Sequence, residues 1–213
     1  SLIPQIAIGS TILSGQYGGV LLIAVGVDAN KQSYPLAFGI VGSENGYSLT
    51  WFFRQLCNAL KTEEEILFVS DMLAGINIGI STVFPESEHV YCIYHIACRL
   101  SRYSSGVSQT FLKAALANND QEFYDHVAKL KELSPKAATV VRDLGFYSLA
   151  KVNARRPRFR MITTVLTSSF ISMLKPAKRL SPFHFLEFVR STLCELFSAR
   201  RKIVEDWSGS LSF

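Results

Sequence analysis

A chain of 213 residues is long enough for one sizeable domain, or for one domain with an insertion. Its 48% hydrophobic and 18% charged residues exclude a disordered chain, and its net charge of +5 is compatible with an anionic partner. No apolar run approaches the ~20 residues of a membrane span, so we expect no membrane partner. The four cysteines lie in apolar or helical patterns rather than at the close spacings of a disulfide framework, which favours a reducing compartment.

The first forty residues predict an antiparallel meander of three strands. Strand-like runs rich in β-branched residues cover Ile6–Leu13, Val20–Val27 and Tyr34–Val41. Turn-forming residues separate the runs, beginning with the pair Gly18-Gly19. Because this glycine pair lies between two strands, rather than between a strand and a helix, it does not predict a phosphate-binding loop.

Helices and strands then alternate up to residue 93. Apolar residues recur at helical spacing in the helical segments, whereas the strands are short apolar runs. The predicted elements are a helix over Tyr47–Leu60, a strand over Ile66–Ser70 that leads into Asp71, a helix over Leu73–Phe84 and a strand over His89–Ile93. Three hairpin strands followed by helix, strand, helix and strand form the element order of the RNase H-like fold.

The second half of the chain is predicted to be helical, and its last helix covers Pro182–Arg201. We therefore expect an α/β fold in three segments. Residues 1–100 would form the core strands and first helices, residues 101–160 a helical insertion, and residues 161–213 the C-terminal helices that complete the core.

Four motifs carry a resemblance to a known family. They are Gly9-Ser10-Thr11 leading to Tyr17-Gly18-Gly19-Val20-Leu21-Leu22, Val69-Ser70-Asp71, Cys92-Ile93-Tyr94-His95, and the stretch from Thr163 to Leu174. Together they resemble the catalytic domain of Mutator-like (MULE) transposases, whose motifs run roughly DGTFLKGKYGGVLLTAVGID, a strand ending in Asp, CxxH and TTNxAESLNSML. The resemblance covers about residues 5–201. It implies an RNase H-like fold, a mixed central sheet flanked by helices, with a helical insertion between the second and third acid positions.

The same resemblance implies three metal-binding carboxylates, of which this chain keeps one. Asp71 stands at the second acid position, whereas Gly9 replaces the first Asp and Ser168 replaces the Glu. Intact relatives use Mg²⁺ or Mn²⁺ to cut and join DNA, which requires oxygen ligands that hold two cations ~3.5–4 Å apart. Glycine offers no ligand and a serine hydroxyl is a weak one. We therefore expect weak or no metal binding at Asp71 and no cofactor in this chain.

Asp71 has a second interpretation, since an Asp at the end of a strand commonly caps the helix that follows. As a relic metal ligand it could cap the helix near Leu73 as well. No other acid is placed to replace the missing ligands. Asp28 adjoins a turn, and Glu187 and Glu195 have the spacing of polar-face residues in the last helix.

Cys92 and His95 are of metal-ligand type, and Cys98 follows three residues later. A structural zinc site needs four ligands, usually from a second close pair, and the sequence offers no such pair. Nucleophilic catalysis by Cys92 and His95 lacks an orienting third group. The family CxxH follows the second acid, so we expect these two residues to pack and form hydrogen bonds near the active-site face.

Four arginines, Arg155, Arg156, Arg158 and Arg160, precede the last motif and would flank the former cleft. Guanidinium groups bind phosphate oxygens well, and such contacts position a protein on DNA without specifying a sequence. We expect weak, non-specific DNA binding. The alternative is a solvated basic loop.

The expected function is a transposase-derived domain that neither cleaves nor joins DNA and keeps a DNA-associated or scaffold role in the nucleus. One alternative is an active metal-dependent DDE-type transposase or recombinase. Another is a domesticated protein-interaction domain that regulates transcription, as domesticated plant relatives of these transposable elements do, with the helical insertion binding other chains.

Overall fold

The computed structural model describes residues 2–28, 32–61, 65–145 and 165–206. The strands are β1 (Leu2–Ile12), β2 (Val20–Asp28), β3 (Ser33–Val41), β4 (Leu67–Ser70) and β5 (Glu88–Tyr91). The helices are α1 (Gly46–Leu60), α2 (Ile76–Val83), α3 (Ile93–Leu100), α4 (Val107–Ala115), α5 (Asp120–Leu133), α6 (Pro135–Asp143), α7 (Val165–Met173) and α8 (Pro182–Glu205), with a 3-10 turn over Lys175–Ala177. None of the helices described is long and apolar enough to cross a membrane.

The described strands form one mixed sheet in the order β3-β2-β1-β4-β5. Strand β2 is antiparallel to both β1 and β3, which confirms the predicted meander. Strand β4 pairs in parallel with β1, and β5 in parallel with β4. The carboxyl ends of β1, β4 and β5 therefore meet at one edge of the sheet, where open α/β sheets place their ligands.

Helices cover both faces of this sheet, because neighbouring side chains of a strand point to opposite faces and both sets are apolar. Ile8 of β1 and Phe68 of β4 point into a core closed by Phe53 of α1 and by α2. On the other face, Ile23 of β2 packs with Phe185 of α8 and with residues of α7. The sheet is thus the middle of three layers, and the predicted mixed α/β fold is confirmed.

Two glycines leave room for α2 and its N-cap to pack against α1. A Cβ on Gly79 would lie 2.8 Å from a ring carbon of Phe53, and a Cβ on Gly75 would lie 2.4 Å from the backbone nitrogen of Gly46. Gly75 also has φ +81°, a conformation that other residues rarely adopt. The predicted start of this helix at Leu73 was wrong, since the left-handed Gly75 is its N-cap and α2 begins at Ile76.

Helices α3 to α6 share a second core. Its fully buried members include Ile96, Leu100, Phe111 and Leu130. The predicted helical character after residue 101 is confirmed for the described stretch up to residue 145. The predicted strand through Ile93 was too long, because β5 ends at Tyr91 and Ile93 is the first residue of α3.

Candidate functional site

Three side chains meet at the carboxyl edge of the sheet. Asp71 directly follows β4, Cys92 directly follows the parallel neighbour β5, and His95 lies in the first turn of α3. One ligand atom from each of the three lies within 4.8 Å of the other two. Adjacent parallel strands end at the same edge of the sheet, which is why Asp71 and Cys92, 21 positions apart in the chain, come together here.

Asp71 and His95 are in direct contact. The Oδ1 atom of Asp71 lies 2.6 Å from Nδ1 of His95, and their side chains are 23% and 46% exposed. Asp71 does not cap α2, so the capping interpretation was wrong. The chain runs on through residues 72–75 before the helix begins, and the backbone N–H of Ala74 donates instead to Glu44 at 3.1 Å. The Asp71 carboxylate therefore faces α3.

A buried network fixes the backbone around these side chains. The N–H of Cys92 donates to the carbonyl of Ser70 at 2.7 Å, which ties the start of α3 to the end of β4. The fully buried Ser70 hydroxyl donates to the carbonyl of Asp71 and lies 2.7 Å from Nε2 of His89. Burial lowers the pKa of His89 to about 4, so its ring is neutral near pH 7.

Gly9 lies beside Asp71. Ile8 of β1 pairs with Ser70 of β4, and Gly9 and Asp71 are the residues that follow this last pair along the chain. A Cβ on Gly9 would lie 2.7 Å from Oγ1 and 2.9 Å from Cβ of Thr167, a residue that is 1% exposed in the first turn of α7. Helix α7 thus occupies the space that a side chain at position 9 would need.

Ser168 is the residue after Thr167 and is exposed, while its carbonyl accepts a hydrogen bond from the Ser172 hydroxyl at 2.9 Å. The helix that carries Ser168 therefore packs against β1 at Gly9. Neither position offers a carboxylate to join Asp71. Within the described ranges, the cluster of Asp71, Cys92 and His95 is the one group of three His, Cys, Asp or Glu residues close enough to share an ion.

Three other acidic residues, Asp28, Glu187 and Glu195, do not belong to the cluster at the carboxyl edge of the sheet. Asp28 pairs with Leu2 at the opposite end of β1, and its carboxylate accepts a bond from the N–H of Gln32 at 2.8 Å. Glu187 is on the exposed face of α8, where a hydrogen bond and the charge of Arg190 lower its pKa. Glu195 is also exposed on α8.

Glu44 is a residue that sequence reasoning missed. Its carboxylate accepts hydrogen bonds from the Ser10 hydroxyl at 2.7 Å and from the N–H of Ala74 at 3.1 Å. It thereby connects the end of β1 to the loop that follows Asp71. Position 44 belongs to no periodic pattern and directly precedes Asn45, the N-cap of α1.

The four arginines expected to contact DNA, Arg155, Arg156, Arg158 and Arg160, lie outside the described residues. Two later cations bond within the fold. The Lys178 ammonium donates to the Thr11 hydroxyl, and the Arg200 guanidinium donates to the carbonyl of Ser33 at 2.7 Å.

Comparison with known families finds that the sheet-forming part of the chain is similar to a transposase domain. The matching family is the MULE transposase domain, and the match covers residues 6–99. Protein FAR1-RELATED SEQUENCE 4 from Arabidopsis thaliana is 28% identical over 101 residues, which are 46% of this chain and 14% of that protein. The chain thus corresponds to a small part of the length of that relative.

Proposed function

We propose that this chain is a MULE-type transposase-derived domain that neither cleaves DNA nor transfers strands, and that it keeps a DNA-associated or scaffold role. The observation that carries the proposal is the packing of α7 against Gly9, which leaves Asp71 without a carboxylate neighbour at that position. The strand order, with an antiparallel meander followed by two parallel strands and helices on both faces, supports assigning the domain to the RNase H-like fold.

The chemistry of strand cleavage gives the reason for the predicted inactivity. Two cations must activate the attacking oxygen and stabilise the leaving one, and the protein supplies carboxylates that hold both. Mg²⁺ demands a nearly octahedral set of oxygen ligands. Here Asp71 has a nitrogen of His95 2.6 Å away and Cys92 in the same cluster. This set does not suit Mg²⁺ or Mn²⁺, so their binding is expected to be negligible.

Residual DNA binding follows from charge rather than from catalytic groups. The chain has a net charge of +5, and four arginines precede the segment that packs beside Gly9. Binding through phosphate contacts is weak, tolerant of sequence and strongly dependent on salt. We propose a nuclear location on the basis of the resemblance to MULE transposases. The division into core, insertion over residues 101–160 and C-terminal segment remains part of the proposal.

A second candidate is a domesticated domain that regulates transcription through protein contacts. The similarity to a plant protein that shares this domain supports it, together with the roles of domesticated plant relatives. Helices α4 to α6 would provide the partner surface, since they form a helical subcore with α3.

Cleavage assays separate the inactive domain from an active transposase. Wild type and Asp71→Ala are incubated with supercoiled and linear DNA in Mg²⁺ or Mn²⁺, and nicking and joining are followed on gels. We expect neither protein to react. Metal-dependent nicking by the wild type that Asp71→Ala abolishes would establish the active alternative. Nicking that survives this substitution would place the active centre elsewhere.

DNA binding is tested by fluorescence anisotropy over a series of salt concentrations. Charge reversal of Arg156 and Arg158 together should weaken binding equally on unrelated sequences, and should reduce the salt slope by about 2, since each lost phosphate contact contributes roughly 0.9. The matched control reverses Lys129 and Lys131, two exposed lysines of α5, and should leave the slope almost unchanged. An unaltered slope in the arginine variant would assign those residues to a solvated loop.

A further inference from the structure

We infer that Asp71, Cys92 and His95 form a binding site for a single Zn²⁺ ion. The geometry of the three side chains supports this site, which goes beyond the proposed function, since that function concerns the loss of Mg²⁺ and Mn²⁺ chemistry. It gives the surviving acid a new set of partners.

The distances suit one ion. The carboxylate oxygen, the sulfur and the imidazole nitrogen all lie within 4.8 Å of one another. Zinc bonds of about 2.0–2.3 Å in a tetrahedron place ligand atoms roughly 3–4 Å apart. Small rotations of the side chains bring the three atoms to that spacing, and the 2.6 Å contact between Asp71 and His95 opens slightly as the ion replaces it.

The backbone holds the ligands in place without the ion. Cys92 and His95 are three residues apart at the start of α3, which puts them on one side of that helix. The N–H of Cys92 is bonded to Ser70, the residue before Asp71. Cys92 is 1% exposed, so its sulfur has little conformational freedom. The strands therefore fix the first and second ligand relative to each other.

The donor set selects the metal. A thiolate sulfur and an imidazole nitrogen are preferred by zinc, whereas Mg²⁺ and Mn²⁺ prefer carboxylate, carbonyl and water oxygens. One thiolate and one carboxylate balance the charge of a divalent ion. Three protein ligands leave the fourth tetrahedral position for water, as at open zinc sites, and the partly exposed Asp71 and His95 give solvent access to it.

Cobalt titration of the full chain tests the site. The protein is freed of metal with EDTA and titrated with Co²⁺, and Zn²⁺ is then added to displace the cobalt. The visible spectrum of bound Co²⁺ reports tetrahedral geometry, and its ultraviolet charge-transfer band reports a thiolate ligand. We expect one ion per chain with both signals. Cys92→Ser should remove the charge-transfer band. Asp71→Asn and His95→Gln should weaken binding by more than the roughly 10–100-fold that changes in outer-shell partners cause.

Cys98→Ser is the matched control, because Cys98 lies on the same helix but is exposed and outside the cluster. Its spectrum and affinity should equal those of the wild type. Because Cys92 is buried, its substitution could unfold the chain, so circular dichroism is recorded for each variant. His95 is exposed, so the fold should tolerate His95→Gln, which tests the site independently. The zinc site would be refuted if the chain does not bind one Co²⁺ ion, or if the charge-transfer band persists in Cys92→Ser. No DNA is used, so failure here is distinct from failure of the proposed function.

Discussion

A side chain at position 9 should destabilise the fold, and Gly9→Ala is the smallest test. Its Cβ would lie 2.7, 2.9 and 3.4 Å from Oγ1, Cβ and Cγ2 of Thr167, a buried residue on a helix that packs against the central strand β1. Overpacking of this kind typically costs about 1–3 kcal/mol, and two contacts below 3.0 Å with a buried residue indicate the upper half of that range. Gly9→Asp should cost more, since the carboxylate needs further space and solvation at the same place.

Shortening Thr167 should relieve part of this strain. Thr167→Ala removes Oγ1 and Cγ2 but leaves the Cβ, which would still lie 2.9 Å from a Cβ at position 9. Relief is therefore incomplete, and α7 must also shift by a few tenths of an ångström. The double variant should be more stable than the sum of the single effects by about 1 kcal/mol, within the range for residues in contact.

Urea unfolding of the wild type, both single variants and the double variant measures these free energies. Gly42→Ala is the control, because a Cβ on Gly42 meets no atom within 4 Å, and it should change stability by less than about 0.5 kcal/mol. Equal effects of Gly9→Ala and Gly42→Ala, or strict additivity with Thr167→Ala, would refute the close packing of α7 on β1.

Three further predictions follow from the site and its surroundings. Gly9→Asp with Ser168→Glu should gain Mn²⁺ affinity only when Thr167→Ala is added, and calorimetric titration should show a non-additive gain in the triple variant, as expected for ligands of one site. The pKa of His89 is about 4 in the folded state, below its ordinary value of 6.5. The unfolded chain therefore binds a proton first, and the free energy of unfolding should fall by up to about 3 kcal/mol as pH falls from 6.5 towards 4. Urea unfolding across this range should show the decrease in the wild type and little of it in His89→Gln. Asn45→Ala removes the side-chain cap of α1 and should cost about 1 kcal/mol in thermal or urea unfolding.

Periodicity in the sequence was sufficient to predict the meander, α1 and the last helix, because those segments have long apolar patterns. The start of α2 could not be predicted, since it depends on the positive φ of Gly75 and on the close approach of Gly46 from another helix. The sequence pattern indicated that Asp71 closes a strand, but it put Cys92 inside the strand predicted to run to Ile93, whereas Cys92 follows the end of β5.

The family resemblance assigned positions 9 and 168 to one metal site, but the individual contacts between distant parts of the chain had no sequence signal. Gly9 and Thr167 are 158 positions apart, and only the folded chain shows that one fills the space beside the other. The bonds of Glu44 to Ser10 and Ala74 likewise depend on where the turn before α1 lies over the sheet edge.

The contact between Asp71 and His95 also changes how the sheet edge would meet a polyanion. Three unpaired carboxylates repel phosphate groups, so DNA binds beside a triad of carboxylates only after cations have neutralised their charge. Here the Asp71 carboxylate lies 2.6 Å from a nitrogen of His95, and the residues at the other two acid positions, Gly9 and Ser168, are uncharged. Under the proposed function, nucleic acid approaching this edge would therefore meet less repulsion than at a triad of carboxylates. The DNA-associated role proposed above would then need no metal at this edge of the sheet.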